Sequence, residues 1–217
     1  MATRMTHRAP GRNATLSALA VAVLLSGGIF TIPAGNARAA EATCPAAPPA
    51  LSKFKPQTAK TGPVETPFTT ADGKTVTIAE LARGRGAVVN LWATWCAPCI
   101  KEMPQLDALK AELAKDGIPV IALSQDRGGM DQVKPFYAKQ GYKNLEIHLD
   151  PKGAFSRAVK ARGLPTTVLF DAQGREMGRV LGVAEWDAPE VVAFIRVRRL
   201  LARLCHHSLG LRHHIVR

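Results

Sequence analysis

Apolar positions recur along this chain with two periods, and their alternation sets the expected architecture. "AVVNLWA" (87–93) is a continuous apolar run of buried-strand length. Just beyond it, Ile100, Met103, Leu106, Leu109 and Leu113 repeat at threes and fours, which predicts a helix over 97–115. Pro98 falls in its first turn, where a missing N–H costs little, and Pro104 lies inside and is expected to kink it. "IPVIALSQD" (118–126) reads as a second buried strand, and "MDQVKPFYAKQGY" (130–142) as a helix interrupted at Pro135. "LEIHLD" (145–150) is a short strand and "GAFSRAVKARG" (153–163) a helix stopped by Gly163. "TTVLFDAQGREMGRVLG" (166–182) makes two strands around a Gln173-Gly174 turn, and a last helix begins near Ala188. Upstream, the Asp72-Gly73 turn of "TTADGKTVTIAELAR" (69–83) predicts a hairpin leading into a short helix.

Strands alternating with helices imply an α/β fold: a parallel sheet with helices on both faces. The closing hairpin adds antiparallel strands at an edge, making the sheet mixed, and the first hairpin is an N-terminal addition. Active sites of such sheets collect beyond the carboxyl ends of the parallel strands. Cys96 lies just past such an end.

Composition changes the picture at the two ends. The formal charge of +12 suggests a nucleic-acid or membrane partner, but residues 40–195 hold 19 Lys+Arg against 17 Asp+Glu. The excess sits in 1–39 and 196–217, which hold no acid at all. A nucleic-acid face needs its basic residues gathered on the folded part, so no nucleic-acid partner is expected. Arg4, His7, Arg8 and Arg12 precede an apolar stretch (16–32), and Ala37-x-Ala39 offers a cleavage pattern. Residues 1–39 thus read as an export signal or, uncleaved, as a membrane anchor. The stretch is short for a spanning helix of about 20 residues. Either reading places the rest outside the cytoplasm, where disulfides persist. The segment 40–65, rich in Pro, Ala and Lys, reads as a linker or draped arm rather than a core element, 66–195 as the domain, and 196–217 as a basic extension. His206, His207, His213 and His214 fall in that extension and could bind metal, although no metal or cofactor is expected for the domain.

Two of the four cysteines, Cys96 and Cys99, lie two residues apart at the start of the 97–115 helix. Unpaired N–H groups and the helix dipole stabilise a thiolate there, which favours Cys96 as the attacking thiol and Cys99, one turn in, as the resolving one. A four-cysteine zinc site would need a second pair, and Cys44 and Cys205 lack that spacing. A purely structural staple is disfavoured because so small a ring constrains little of the unfolded chain. A redox-active disulfide is the expected role.

"VVNLWATWCAPCIKEMPQLDAL" (88–109), "GLPTT" (163–167) and "AEWDAPE" (184–190) resemble the TlpA/ResA-like thiol:disulfide oxidoreductases of the thioredoxin superfamily, and the TlpA branch most, over 66–195. The resemblance implies a thioredoxin-like fold, with Cys96 as nucleophile and Cys99 as resolving thiol. It also implies that Pro165 is a cis-proline facing the pair, where the preceding backbone binds a substrate segment. Trp95, Ala97, Pro98 and Leu164 would then contact the substrate. Asn90 stands where many thioredoxins carry a buried, titrating Asp, whereas Glu102 matches a Glu that lies near the pair in ResA-like proteins. Buried, it would relay protons to Cys99; on the helix surface, it would do nothing of the kind. Cys44 matches an arm cysteine that some relatives join to the last hairpin, but Arg175 stands in the mate's place, leaving Cys44 odd unless Cys205 takes it.

The implied protein is a monomeric periplasmic reductase, fed by a membrane thiol donor and acting on exported proteins with cysteine pairs. For the TlpA branch these are the copper sites of an SCO-like copper chaperone and of oxidase subunit II; for the ResA branch, apocytochrome c. A non-enzymatic SCO-like copper protein would carry Cys-x-x-x-Cys plus a distant His, and a peroxidase Thr-x-x-Cys. This chain has neither spacing, and His148 is its one histidine between 40 and 195. A dithiol oxidase would share the couple and run electrons the other way, a direction set by potential.

Overall fold

The computed structural model describes residues 44–59 and 61–201 of the 217. Residues 1–39, read above as an export signal or an anchor, and the histidines of the tail lie outside the described residues. Eight strands form one mixed sheet: β1 (Phe54–Pro56), β2 (Phe68–Thr70), β3 (Thr75–Val76), β4 (Ala87–Trp92), β5 (Val120–Ser124), β6 (His148–Leu149), β7 (Thr166–Phe170) and β8 (Glu176–Leu181). Their spatial order is β1-β8-β7-β4-β5-β6-β2-β3. Only β4 with β5 and β5 with β6 are parallel; the other pairings are antiparallel. The helices are α1 (Ile78–Ala82), α2 (Ala97–Ala114), α3 (Gly129–Gln140), α4 (Ala154–Ala158) and α5 (Pro189–Leu200).

All six residues of β4 are buried, because the strand is covered on both faces. Val88 and Trp92 belong to the core shared with Met103, Leu106 and Leu109 of α2 and Val191 and Ile195 of α5. Ala87, Val89 and Leu91 belong to the opposite core, with Ile78 of α1 and Phe155 of α4. That two-residue alternation sends every second side chain to each face. Asn90 points the same way as Val88 and Trp92, which puts one polar side chain on the α2 side of the strand.

Several elements depart from the pattern reading. The arm is more than a linker: Leu51 is fully buried, and β1 adds an edge strand in register Phe54↔Val180 and Pro56↔Gly178. Two apolar residues and a free sheet edge outweigh the Pro-rich composition. Gly178 (φ +154) makes this possible, since a Cβ there would lie 2.3 Å from the Phe54 ring. α3 runs unbroken through Pro135, which sits on the exposed face where water can take the carbonyl it leaves unpaired. α4 ends at Ala158, well before Gly163, with Lys160 in the left-handed region (φ 53). α5 continues past 195, so the basic segment starts inside a helix whose Arg198 is buried.

Candidate active site

β4 ends at Trp92, and the chain turns into α2 within four residues. That turn is braced from the neighbouring β5 end. Gln125 N donates to the Trp92 carbonyl at 2.8 Å, and the buried Asp126 carboxylate accepts from Thr94 N (2.9 Å) and Thr94 Oγ1 (2.7 Å). Ser124 Oγ and Gln132 Nε2 donate to the same carboxylate, each at 2.8 Å. Asp126 was not singled out in the sequence, because a lone acid after a strand gives no local signal of a partner 32 residues upstream. Asp126→Ala is expected to cost about 3 kcal/mol of stability, as charge-assisted bonds to a buried group are lost. A urea titration beside Asp126→Asn, which keeps the shape, measures it.

Cys96 is the N-cap of α2 and is disulfide-bonded to Cys99, with Cα atoms 5.2 Å apart. The Cys99 N–H points at Cys96 Sγ from 3.3 Å. Pro98 occupies the first turn, where its absent N–H leaves nothing unpaired. Cys96 keeps 6% exposure and Cys99 none, so an incoming thiol reaches Cys96 Sγ first. Around it, Trp95 is 69% exposed, and Ala97 and Pro98 are exposed as well. Trp92 is instead fully buried against Phe136 and Tyr137.

Pro165 follows a cis Leu164–Pro165 bond. β7 runs antiparallel to β4 with Thr166 opposite Leu91, which brings Pro165 to the sheet end that carries the cysteines. Its carbonyl accepts from Gly182 N (2.9 Å), and the Leu164 side chain packs against the core that includes Cys96 and Cys99.

Glu102 lies on the buried face of α2 with Cys99 and is 2% exposed, so it is no surface residue. Its Oε1 accepts from Asn90 Nδ2 at 2.7 Å and its Oε2 from Trp186 Nε1 at 2.8 Å. Asn90 Nδ2 also donates to Thr167 Oγ1 (2.9 Å), while its buried Oδ1 finds no partner. Burial pushes the Glu102 carboxyl above its ordinary range, against the opposing pull of Trp186, Asn90, the Ala184 N–H and the charge of Lys53. The carboxyl borders a groove of about 590 Å³ walled by Ala97, Pro98 and Lys101 of α2, by the loop at Val183 and Ala184, and by Pro49 of the arm. Trp186 is the partner that local sequence does not reveal: it stands in the "AEWDAPE" motif, 84 residues from Glu102.

Two other residues named in the sequence can be placed. Cys44 is disulfide-bonded, and Cys205 lies outside the described residues. His148 is buried and held below its ordinary pKa by that burial, which keeps it neutral. Among the described residues no cluster of three or more His, Cys, Asp or Glu could hold a metal. No helix of the described residues is long and apolar enough to cross a membrane.

A dithiol couple capping the helix after a central strand, with a cis-proline at the same end of a mixed sheet, places the protein in the thioredoxin-like class. Comparison with known proteins narrows this. The chain belongs to the Redoxin family, whose profile matches residues 43–195. It is 32% identical over 114 residues to the thiol-disulfide oxidoreductase ResA of Bacillus thuringiensis, covering 52% of this chain and 64% of that protein. It is 34% identical over 118 residues to the thiol:disulfide interchange protein HelX of Rhodobacter capsulatus, covering 54% and 60%. The matched region thus spans somewhat under two thirds of these relatives. Among solved structures, the exposed lipoprotein thioredoxin Etrx1 of Streptococcus pneumoniae superposes with a TM-score of 0.53 at 25% identity, over 61% of this chain and 98% of that one.

Proposed function

We propose that the protein is an extracytoplasmic thiol:disulfide oxidoreductase that reduces cysteine pairs of exported proteins. The observation that carries this reading is the Cys96–Cys99 disulfide at the α2 N-cap, with Cys96 at the edge of solvent and Cys99 sealed behind it. In the reduced protein the Cys96 thiolate, stabilised by the helix N-terminus, attacks a client disulfide and forms a mixed disulfide. Cys99 then attacks Cys96 Sγ, releasing the client as a dithiol and re-forming the bond seen here. Glu102 serves as the proton acceptor and donor for Cys99, because it is the buried carboxyl on the same helix face. Pro165 and Leu164 hold the client backbone, and Trp95, Ala97 and Pro98 contact its side chains. A membrane thiol donor returns the couple to the dithiol.

Within that class we place the clients among the copper-site cysteine pairs of cytochrome c oxidase biogenesis. "KEMP" (101–104) and "AEWDAPE" (184–190) carry the resemblance to the TlpA branch, and they meet in space through the Trp186–Glu102 hydrogen bond. The test offers the reduced protein two substrates: the oxidised Cys-x-x-x-Cys segment of oxidase subunit II and an oxidised haem-site Cys-x-x-Cys-His segment. Faster reduction of the first is expected. Faster reduction of the second would move the protein to cytochrome c maturation, and reduction of neither, with a couple more oxidising than both, would make it a dithiol oxidase.

A further inference from the structure

On the face of the sheet away from α2, four cations line one groove of about 340 Å³: Lys55 of β1, Lys160 and Arg162 beyond α4, and Arg179 of β8. Val180 belongs to the core under α2, so its neighbours Arg179 and Leu181 point to the other face, where Arg179 Nη1 meets the Lys160 carbonyl at 3.5 Å. The acid lining this groove, Glu176, is buried, and both of its carboxylate oxygens accept from Arg179, one from Nε at 2.6 Å. That pair cancels, and three charges are left over. Lys55, Lys160 and Arg162 are exposed, and among the described residues none of them makes an ion pair. Like charges around one concavity repel, and an anion placed between them relieves the repulsion. The backbone gives a second sign: Lys160 stands in the left-handed region (φ 53), where glycine would sit without strain. The groove also adjoins the cis-proline loop. Leu181, which lines it, pairs with Thr166 directly after Pro165, Gly182 N donates to the Pro165 carbonyl, and Arg162 begins the turn that leads to that proline.

We propose that this groove receives acidic side chains of the client, in the segment flanking its cysteine pair, and so selects clients that carry Asp or Glu there. The proposal rests on the reductase reading above, in which Leu164 and Pro165 hold the client backbone. A segment crossing that loop passes over the end of the sheet and meets Arg162 first, then Lys160 and Lys55. Arg162 offers a carboxylate a two-pronged donor, while the two lysines are point charges on flexible stems that adapt to its position. Leu181 and Pro56 add an apolar side to the groove for the stem of a glutamate. A concave site of this kind suits a protruding side chain, whereas a layer of lipid headgroups needs a broad basic surface. Residues 40–195 do not provide one, since their 19 Lys+Arg stand against 17 Asp+Glu. The attraction is therefore local to the groove.

The experiment uses peptides that share one Cys-x-x-x-Cys pair and differ only in the flanks, which are acidic in one and Ser/Gln in the other. Rates of disulfide reduction by the reduced full chain are read by quenching and mass spectrometry. Binding is read without chemistry, by fluorescence anisotropy of labelled Cys→Ser versions on the oxidised full chain. At low salt the acidic peptide is expected to bind about tenfold more tightly and to be reduced about tenfold faster, with the difference shrinking toward parity in about 0.5 M salt. Arg162→Gln and Lys160→Gly should each remove much of the preference. Lys160→Gly also relieves the backbone, so its urea midpoint should not fall, and loss of preference in it cannot be put down to misfolding. Equal binding of the two peptides by wild type overturns the proposal, and so does a preference that survives both substitutions. If binding is equal and the same substitutions weaken attachment to phosphatidylglycerol vesicles, the groove belongs to a membrane surface instead. Preferential binding of the acidic peptide with reduction of neither would support the groove and count against the reductase reading alone.

Discussion

Cys99→Ser is expected to turn the reduced protein into a trap, accumulating covalent complexes with disulfide-bearing clients that dissolve on adding dithiothreitol. Cys96 can still attack, but no thiol stands behind it to release the client. Cys96→Ser should give no complex and lower reductase turnover to background, since Cys99 is sealed from solvent and cannot take over the attack. Non-reducing gels of both variants, incubated with an oxidised client, read the outcome directly. The asymmetry of exposure makes the prediction directional. Equal trapping by the two variants would mean that either sulfur can be reached, and the division of roles would fail.

This pair and its context were legible because the signals are local. A Cys-x-x-Cys after a six-residue apolar strand and before a helix of regular spacing places both cysteines within one turn of an N-terminus. Helix α2, the central strands and the closing hairpin follow from periods within a dozen residues. What escaped depends on contacts far apart in the chain. β1 forms because β8 presents an edge and Gly178 leaves space for Phe54, and neither is visible in the Pro-rich arm itself. Pro135 was expected to interrupt its helix, yet an exposed face tolerates the missing bond. Trp186 and Asp126 act on the site from loops 84 and 32 residues away from their partners. Helix α5 runs across position 195 for a related reason: charge composition marks Arg196–Arg199 as tail, while Phe54 and Phe194 provide an apolar seat for Arg198.

Glu102→Gln is expected to flatten the pH dependence of the couple across neutral pH and to lower the apparent pKa of the active-site thiols. In the wild type a carboxylate and a thiolate on one buried helix face repel, so each raises the other and they titrate as a pair. Removing the carboxylate charge favours the thiolate, on the order of tenfold in thiolate fraction where the two groups interact by about one pK unit. The oxidised protein provides an independent reading. Its Glu102 carboxyl is held above the ordinary range by burial, so the folded state keeps this proton more tightly than the unfolded chain does. Stability from that proton is fully present below the unfolded value of about 4.3 and is lost as pH rises through the raised folded value. Wild type should therefore lose stability over that window relative to Glu102→Gln, as read by urea midpoints at several pH values. The local hydrogen bonds can accommodate glutamine. Rotation of the Asn90 amide would aim its unpartnered Oδ1 at the new Nε2–H, and Trp186 Nε1 would keep an oxygen to donate to. The same rotation offers Oδ1 to the proton of a neutral Glu102, so Asn90 suits both charge states of its neighbour without titrating itself. Superimposable thiolate titrations for wild type and variant, together with parallel stability curves, would remove Glu102 from the reaction and leave it as a packing residue beneath Trp186.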